Sequence, residues 1–347
     1  MSQKTAINYL KNNNDFAIVF DFDPDGIFSA SLLLKILKKL EKNVSLLTSS
    51  PRPSTKDNPA IDAAKNFDNI ITLDLAFNQE DLKVLNKSKI LVIDHHETTL
   101  TKDVKGITVI KHGKKYTPTT KLVYDLGVKI FGKEFKKYDW MGVAGTIADY
   151  GGPQHGAWIE KILKKYKYPI TKSPYFDTVI GGVGNVINSS RIVGGDKLAI
   201  TAIKSLVNSE DIHDFLEAKN ESAKLIYKLY EEVQNEIEEE LERFEHKSQR
   251  KNNRILFTLK DKKHNIRSTL STILSTNYPK HTICICEERG SGDELHGSFR
   301  TKTENVLDII NEMKKEIDIR GGGHKKAAGF SIQKEDFHKF KNIYLKS

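Results

Sequence analysis

Short apolar runs that end in aspartate alternate with segments whose apolar residues recur every three or four positions. The runs Phe16-Ala17-Ile18-Val19-Phe20, Ile70-Ile71-Thr72-Leu73 and Lys89-Ile90-Leu91-Val92-Ile93 are rich in β-branched or aromatic residues and read as buried strands. Residues 44–47 read as another strand. Residues 29–40 (Leu32, Leu33, Ile36, Leu37, Leu40) predict a helix, with weaker helices at 61–65 and 80–86 and a short one before residue 15. Strand, acidic turn and helix open a β-α-β unit, so a mostly parallel sheet covered on both faces is expected. The chain turns helical from residue 117, where Pro118 suits a helix start. Residues 140–149 are apolar, fit a helix better than a strand, and are closed by Gly151-Gly152-Pro153. Residues 181–185, Gly-Gly-Val-Gly-Asn, read as a flexible loop. Residues 209–247 read as one long helix with the stripe Leu216, Leu225, Ile226, Leu229, Val233, Ile237 and Leu241. Its acids Glu231, Glu232, Glu236, Glu238, Glu239 and Glu240 read as a solvated face. Strands at 255–259, 282–286 and 295–299 and helices at 267–275 and 306–315 follow. The expected fold is α/β: an N-terminal domain over 1–208, a helical linker over 209–250, and a smaller α/β domain over 251–347.

Charge and cysteine usage narrow this picture. A net charge of +9 in 347 residues favours a polyanionic partner, though a lysine-rich composition explains it as well. Cys284 and Cys286 share a strand face and have no distant partner, so they read as reduced core residues rather than a disulfide or zinc site. The first residues hold no apolar leader and no stretch reaches membrane-spanning length, which points to a cytoplasmic protein with no membrane partner.

The acids at the strand ends carry the candidate chemistry. Asp21, Asp23 and Asp25 follow the first run, Asp74 the next, Asp94-His95-His96 the third, and Asp149 closes the apolar stretch at 140–149. Open α/β sheets place their sites at strand C-termini. Carboxylates crowded there repel one another, and a pair of divalent cations would remove that cost. Arg52 and Lys56 in a Ser/Pro/Thr-rich loop, and Arg191 beside Asn188, are candidates for a phosphate. The stretch Arg320-Gly321-Gly322-Gly323-His324 offers open backbone amides and donors to an anion, with a helix expected to follow.

In this order the segments Asp21-Phe22-Asp23-Pro24-Asp25-Gly26, Asp74, Asp94-His95-His96 and Gly145-Thr146-Ile147-Ala148-Asp149 resemble the motifs of the DHH phosphoesterase superfamily. Arg320-Gly321-Gly322-Gly323-His324 resembles the glycine-rich signature of its DHHA1 domain, and Ser298-Phe299-Arg300 the arginine-bearing strand upstream. Residues 187–191 resemble a segment of RecJ-type single-strand exonucleases, the archaeal RecJ-like nucleases included. Pro24 is shared instead with the branch of oligoribonucleases and phosphoadenosine-phosphate phosphatases.

The resemblance implies a phosphodiesterase using two divalent cations, Mn²⁺ in preference to Mg²⁺. Asp21, Asp23 and Asp74 would hold one, and Asp25, Asp74, His95 and Asp149 the other. Asp94 would orient His95, and His96 would meet the phosphate or the leaving oxygen. Asn188, Arg191, Arg300, Gly321, Gly322, Gly323 and His324 would bind substrate. The expected activity is an exonuclease on single-stranded DNA or RNA. The alternatives are an enzyme for short oligonucleotides, phosphoadenosine phosphate or cyclic dinucleotides, and a scaffold for replication or repair proteins.

Overall fold

The computed structural model describes residues 2–49, 58–111, 115–288 and 292–346, which exclude Arg52 and Lys56. The chain divides into two compact units, 1–230 and 231–347.

The first unit contains α1 (Ser2–Asn12), β1 (Asp15–Asp21), α2 (Pro24–Lys39), β2 (Asn43–Ser49), α3 (Pro59–Ala64), β3 (Asn69–Leu73), β4 (Lys89–Asp94) and β5 (Ile107–Lys111). Then come α4 (Thr119–Phe131), α5 (Asp139–Ala148), α6 (Gly152–Lys165), α7 (Val179–Gly194), α8 (Asp196–Val207) and α9 (Ile212–Leu216); α10 (Glu221–Lys247) runs on into the second unit. The five strands form one parallel sheet in the order β2-β1-β3-β4-β5. Alternation along the strands sends side chains into two cores. Ile18, Phe20, Ile71, Leu73, Leu91 and Ile93 pack with the helical side that includes α2, α4 and α5. Ala17, Val19, Ile70, Ile90 and Val92 pack with Ile61, Leu82 and Leu85 on the other face. Both faces are buried, which is why these strands read as continuous apolar runs. The connection leaving β1 leads to β2 on one side, and the connection leaving β3 leads to β4 on the other. The C-terminal ends of β1 and β3 therefore flank the crevice where the topology reverses.

Several local expectations change. The segment read as a helix at 80–86 is a single 3₁₀ stretch, Asp81–Leu85. Residues 181–185 are not a loop but part of α7. There the glycines allow close approach: a Cβ at Gly181 would lie 2.4 Å from the Tyr175 carbonyl oxygen, and one at Gly184 would lie 3.2 Å from the Ala148 Cβ. The helix read over 209–247 is two helices, interrupted where Ala218 adopts φ +49°.

The second unit adds β6 (Gln249–Lys251), β7 (Arg254–Lys260), α11 (Arg267–Asn277), β8 (Thr282–Glu288), β9 (Glu294–Arg300), α12 (Val306–Met313), β10 (Ile319–His324), β11 (Ala327–Gln333) and α13 (Phe337–Lys346). Its mixed six-stranded sheet has the order β10-β11-β9-β8-β7-β6, with β7 and β8 parallel and the other neighbours antiparallel. Cys284 and Cys286 are buried free thiols in its core. The α10 acids are not uniformly solvated. Glu240 is 3% exposed and bonds Arg243 and Lys262, and Glu236 bonds the His264 ring and the Lys263 amide. No helix among the described residues is long and apolar enough to cross a membrane.

Candidate metal centre

The site grows from the β1–α2 turn. Asp21 is the last residue of β1. Asp23 caps α2 by accepting a hydrogen bond from the Gly26 amide at 2.9 Å, and Pro24 occupies the first helical turn, where its missing N–H costs nothing. Only glycine fits at 26, because a Cβ there would lie 2.0 Å from the Asp21 carbonyl oxygen. Asp25 reaches across to the start of α4. Its two carboxylate oxygens accept hydrogen bonds from the Thr119 and Thr120 amides, each at 2.8 Å. Two helix N-termini thus point at this acidic turn and favour its negative charge.

Asp74 follows β3 in a left-handed conformation, φ +59°, its amide donating to the Ile93 carbonyl. The Thr119 hydroxyl donates to its carboxylate at 2.9 Å. His95 stands between carboxylates: Nδ1 lies 3.0 Å from Asp149, and Nε2 lies 3.5 Å from Asp74. The Tyr116 hydroxyl donates to the Asp149 carboxylate, and its ring lies against His95. Asp94 pairs with His96 Nδ1 at 2.8 Å, where the sequence reading had it orienting His95. Lys111 lies 3.7 Å from Asp94 and donates to the His96 carbonyl and the Thr98 hydroxyl.

The electrostatics follow from crowding. Burial and the neighbouring Asp23 push the Asp21 carboxyl up to about 8. Burial and Asp149 push Asp25 up to about 7. Asp74 is raised well above the usual carboxylate range, by burial first and then by Asp25 and Asp23; Asp23 is raised as well, chiefly by burial. Burial works to lower the His95 pKa, but the Asp149 carboxylate 3.0 Å away and the charge of Asp25 outweigh it, leaving it at about 9. Among the described residues, fixed positive charge is scarce by comparison. The Arg191 guanidinium on α7, hydrogen-bonded to Asn188 at 2.9 Å, offsets part of the repulsion at Asp21 and Asp23.

Among the described residues, donor atoms fall into three groups, each with its atoms within 4.8 Å of one another: Asp21, Asp23 and Asp74; Asp74, His95 and His96; and Asp25, His95 and Asp149. Asp74 and His95 each belong to two. Asp21 Oδ1 is buried without a hydrogen-bond partner, an arrangement that a cation would satisfy. Mixed carboxylate and imidazole donors suit Mn²⁺, or Mg²⁺ where carboxylates dominate.

The residues that sequence reasoning missed are Thr119, Thr120, Tyr116 and Lys111. None stands in an acidic or histidine-bearing motif. The one signal was Pro118, because the helix start it marks supplies the amides that hold Asp25.

In the second unit the three glycines lie in the exposed edge strand β10, paired with β11, and not in a nest before a helix as expected. His324 is its last residue. Arg300, at the end of β9, extends over α11, with Nη2 3.3 Å from the Ser268 hydroxyl and Nε 3.4 Å from Thr272.

Residues 15–148 match the DHH family, N-terminal domain, and residues 252–345 match the DHHA1 domain. No curated protein sequence matches the chain significantly. Among solved structures, exonuclease RecJ bound to manganese is 16% identical with TM-score 0.69, over 100% of this chain and 94% of that one. RecJ from Thermus thermophilus in complex with Mn²⁺ is 18% identical with TM-score 0.70, over 99% of this chain and 53% of that one. CDC45 from Entamoeba histolytica is 11% identical with TM-score 0.65, over 99% of this chain and 98% of that one. At such identities the likeness is one of fold. The family matches in both halves of the sequence identify the chain as a member of the DHH family that also carries a DHHA1 domain.

Proposed function

We propose that the protein is a divalent-cation-dependent phosphodiesterase that degrades single-stranded DNA or RNA from an end. The observation that carries this reading is the convergence of five aspartates and two histidines into overlapping donor groups at the switch point of a parallel sheet. RecJ structures of the same fold contain Mn²⁺, which supports the choice of cation.

Asp21, Asp23 and Asp74 would hold one cation, and Asp25, Asp74, His95 and Asp149 a second. Such ions neutralise charge developing on phosphate and lower the pKa of bound water. The protein's part is to keep the donors in place. The Thr119 and Thr120 amides fix Asp25, the Thr119 hydroxyl fixes Asp74, and the Tyr116 hydroxyl fixes Asp149. Asp94, with Lys111 nearby, accepts from His96 Nδ1. His96 Nε2 is then left to meet a phosphate oxygen or to protonate the leaving oxygen. Arg191 and Asn188 are assigned to phosphate contacts beside Asp21 and Asp23. Arg300, Gly321, Gly322, Gly323 and His324 are assigned to substrate contacts on the second unit, where the exposed glycine strand presents backbone free of side chains.

The test is hydrolysis of single-stranded DNA and RNA labelled at either end, beside matched dinucleotides, in Mn²⁺ with and without chelator. Chelator-sensitive release of mononucleotides from the long strands is the expected result. Cleavage confined to dinucleotides would move the activity to short oligonucleotides. No hydrolysis of either would leave a scaffold role, such as docking replication or repair proteins.

A further inference from the structure

The end of α5 contains an aromatic residue where the backbone asks for glycine. The Gly151 amide donates to the Thr146 carbonyl at 2.8 Å and the Tyr150 amide to the Ile147 carbonyl at 3.0 Å. This pair of bonds is the helix-ending arrangement in which the residue at position 150 must be left-handed, a place normally taken by Gly or Asn. Tyr150 occupies it with φ +56°. A bulky residue there carries strain that Glu41, Lys167 and Ala218 share at other helix ends, and Tyr150 is the aromatic one of these four. Core packing does not repay it, because Tyr150 is 57% exposed.

The ring does have an aromatic neighbour. Phe176 lies edge-to-face with it at 5.1 Å. Phe176 sits on the segment before α7, where Gly181 lets the Tyr175 and Phe176 carbonyls approach the helix closely. The Thr178 side chain caps that helix by accepting from the Gly181 amide. The segment's backbone is therefore pinned against α7. Tyr150 also directly follows Asp149, a member of the donor groups.

We propose that Tyr150, braced by Phe176, is a stacking platform for a nucleobase of the strand whose phosphate lies at the carboxylate cluster. The inference rests on the phosphodiesterase reading above and deepens it by naming a base contact. Stacking on an aromatic face tolerates any base, which suits a substrate read by its backbone. An aliphatic residue at 150 would accept the same strain without offering a π-face.

The experiment compares the full-length protein with Tyr150→Gly and Tyr150→Phe. Substrates are single-stranded oligonucleotides with bases throughout and matched strands that are abasic at their terminal nucleotides, in Mn²⁺. The expected result is that the preference for base-bearing over abasic substrate, as a ratio of kcat/KM, falls by about tenfold in Tyr150→Gly. The fall should come mainly through KM, and Tyr150→Phe should restore the ratio. An unchanged ratio in Tyr150→Gly overturns the proposal. A second readout needs no turnover: fluorescence of terminal 2-aminopurine on an oligonucleotide bound in chelator. Quenching by the wild type and by Tyr150→Phe, lost in Tyr150→Gly, supports the platform. No quenching by the wild type, or equal quenching by all three, refutes it. Quenching without hydrolysis of any substrate would sink the phosphodiesterase reading alone.

Discussion

Two acidic clusters in this molecule are built in opposite ways. On α10, Glu232, Glu236 and Glu240 each have a basic partner within the fold: Lys263, His264, and the Arg243–Lys262 pair respectively. At the ends of β1 and β3, Asp21, Asp23, Asp25, Asp74 and Asp149 share His95 and the outlying charge of Arg191. The first cluster is electrically closed and makes a clamp. The second is buried yet, among the described residues, short of positive charge, so Asp21 and Asp25 hold protons up to about 8 and 7. Carboxylates buried with so little positive charge of the protein's own are the signature of a site whose cation comes from outside.

Variants can break this comparison from either side. The largest effect is expected at Asp74, which belongs to two donor groups. Asp74→Ala should reduce Mn²⁺-dependent hydrolysis of a single-stranded oligonucleotide to background, and near-normal turnover would falsify the shared-ligand assignment. Next is Glu240→Ala on α10. It strips a buried carboxylate from Arg243 and Lys262, whose side chains remain 37% and 17% exposed. Because they can partly rehydrate, the loss should be about 2 kcal/mol in urea denaturation, below the full cost of stranding a buried charge. The Mn²⁺ response should be unchanged, and a change in Mn²⁺ affinity would show that the clusters are not independent.

A third test uses pH. Asp21 and Asp25 have folded-state pKa values raised above the ordinary unfolded value near 4, so the folded protein binds the extra protons. Stability of the metal-free protein should therefore fall as pH rises between about 4 and 8 at this site. Mn²⁺ should raise the melting temperature more at the alkaline end of that window than at the acid end. Equal stabilisation at both ends would contradict the protonation picture. The smallest effect is expected for Thr119→Val, which removes the hydroxyl bond to Asp74 but keeps the amide that holds Asp25. Mn²⁺ affinity should drop by about tenfold, read by calorimetry.

The strands that carry the site were legible because both of their faces are buried, so β1, β3 and β4 stand out as apolar runs closed by aspartate. The edge strand β5, no less β-branched, passed unnoticed, as did α6, because Gly151-Gly152-Pro153 reads as a stop. Here the same Pro153 begins a helix. The glycines of α7 read as a loop because their reason is tertiary: close approach of neighbouring backbone, which no local pattern records. At the site, the acids and histidines were visible as motifs. What holds them in place was not, since Thr119, Tyr116 and Lys111 reach the cluster only through the fold. The α10 acids failed in the other direction. A run of glutamates looks solvated until Lys262, Lys263 and His264 fold back onto it.

The most direct test is calorimetric titration of Mn²⁺ into the metal-free full-length protein near pH 7, in two buffers of different ionisation enthalpy. Cations that take over carboxylates holding raised-pKa protons must release those protons. The account predicts binding with net proton release, lost in Asp74→Ala and retained in Glu240→Ala. Absence of Mn²⁺ binding by the folded wild type, or binding without proton release, would contradict it.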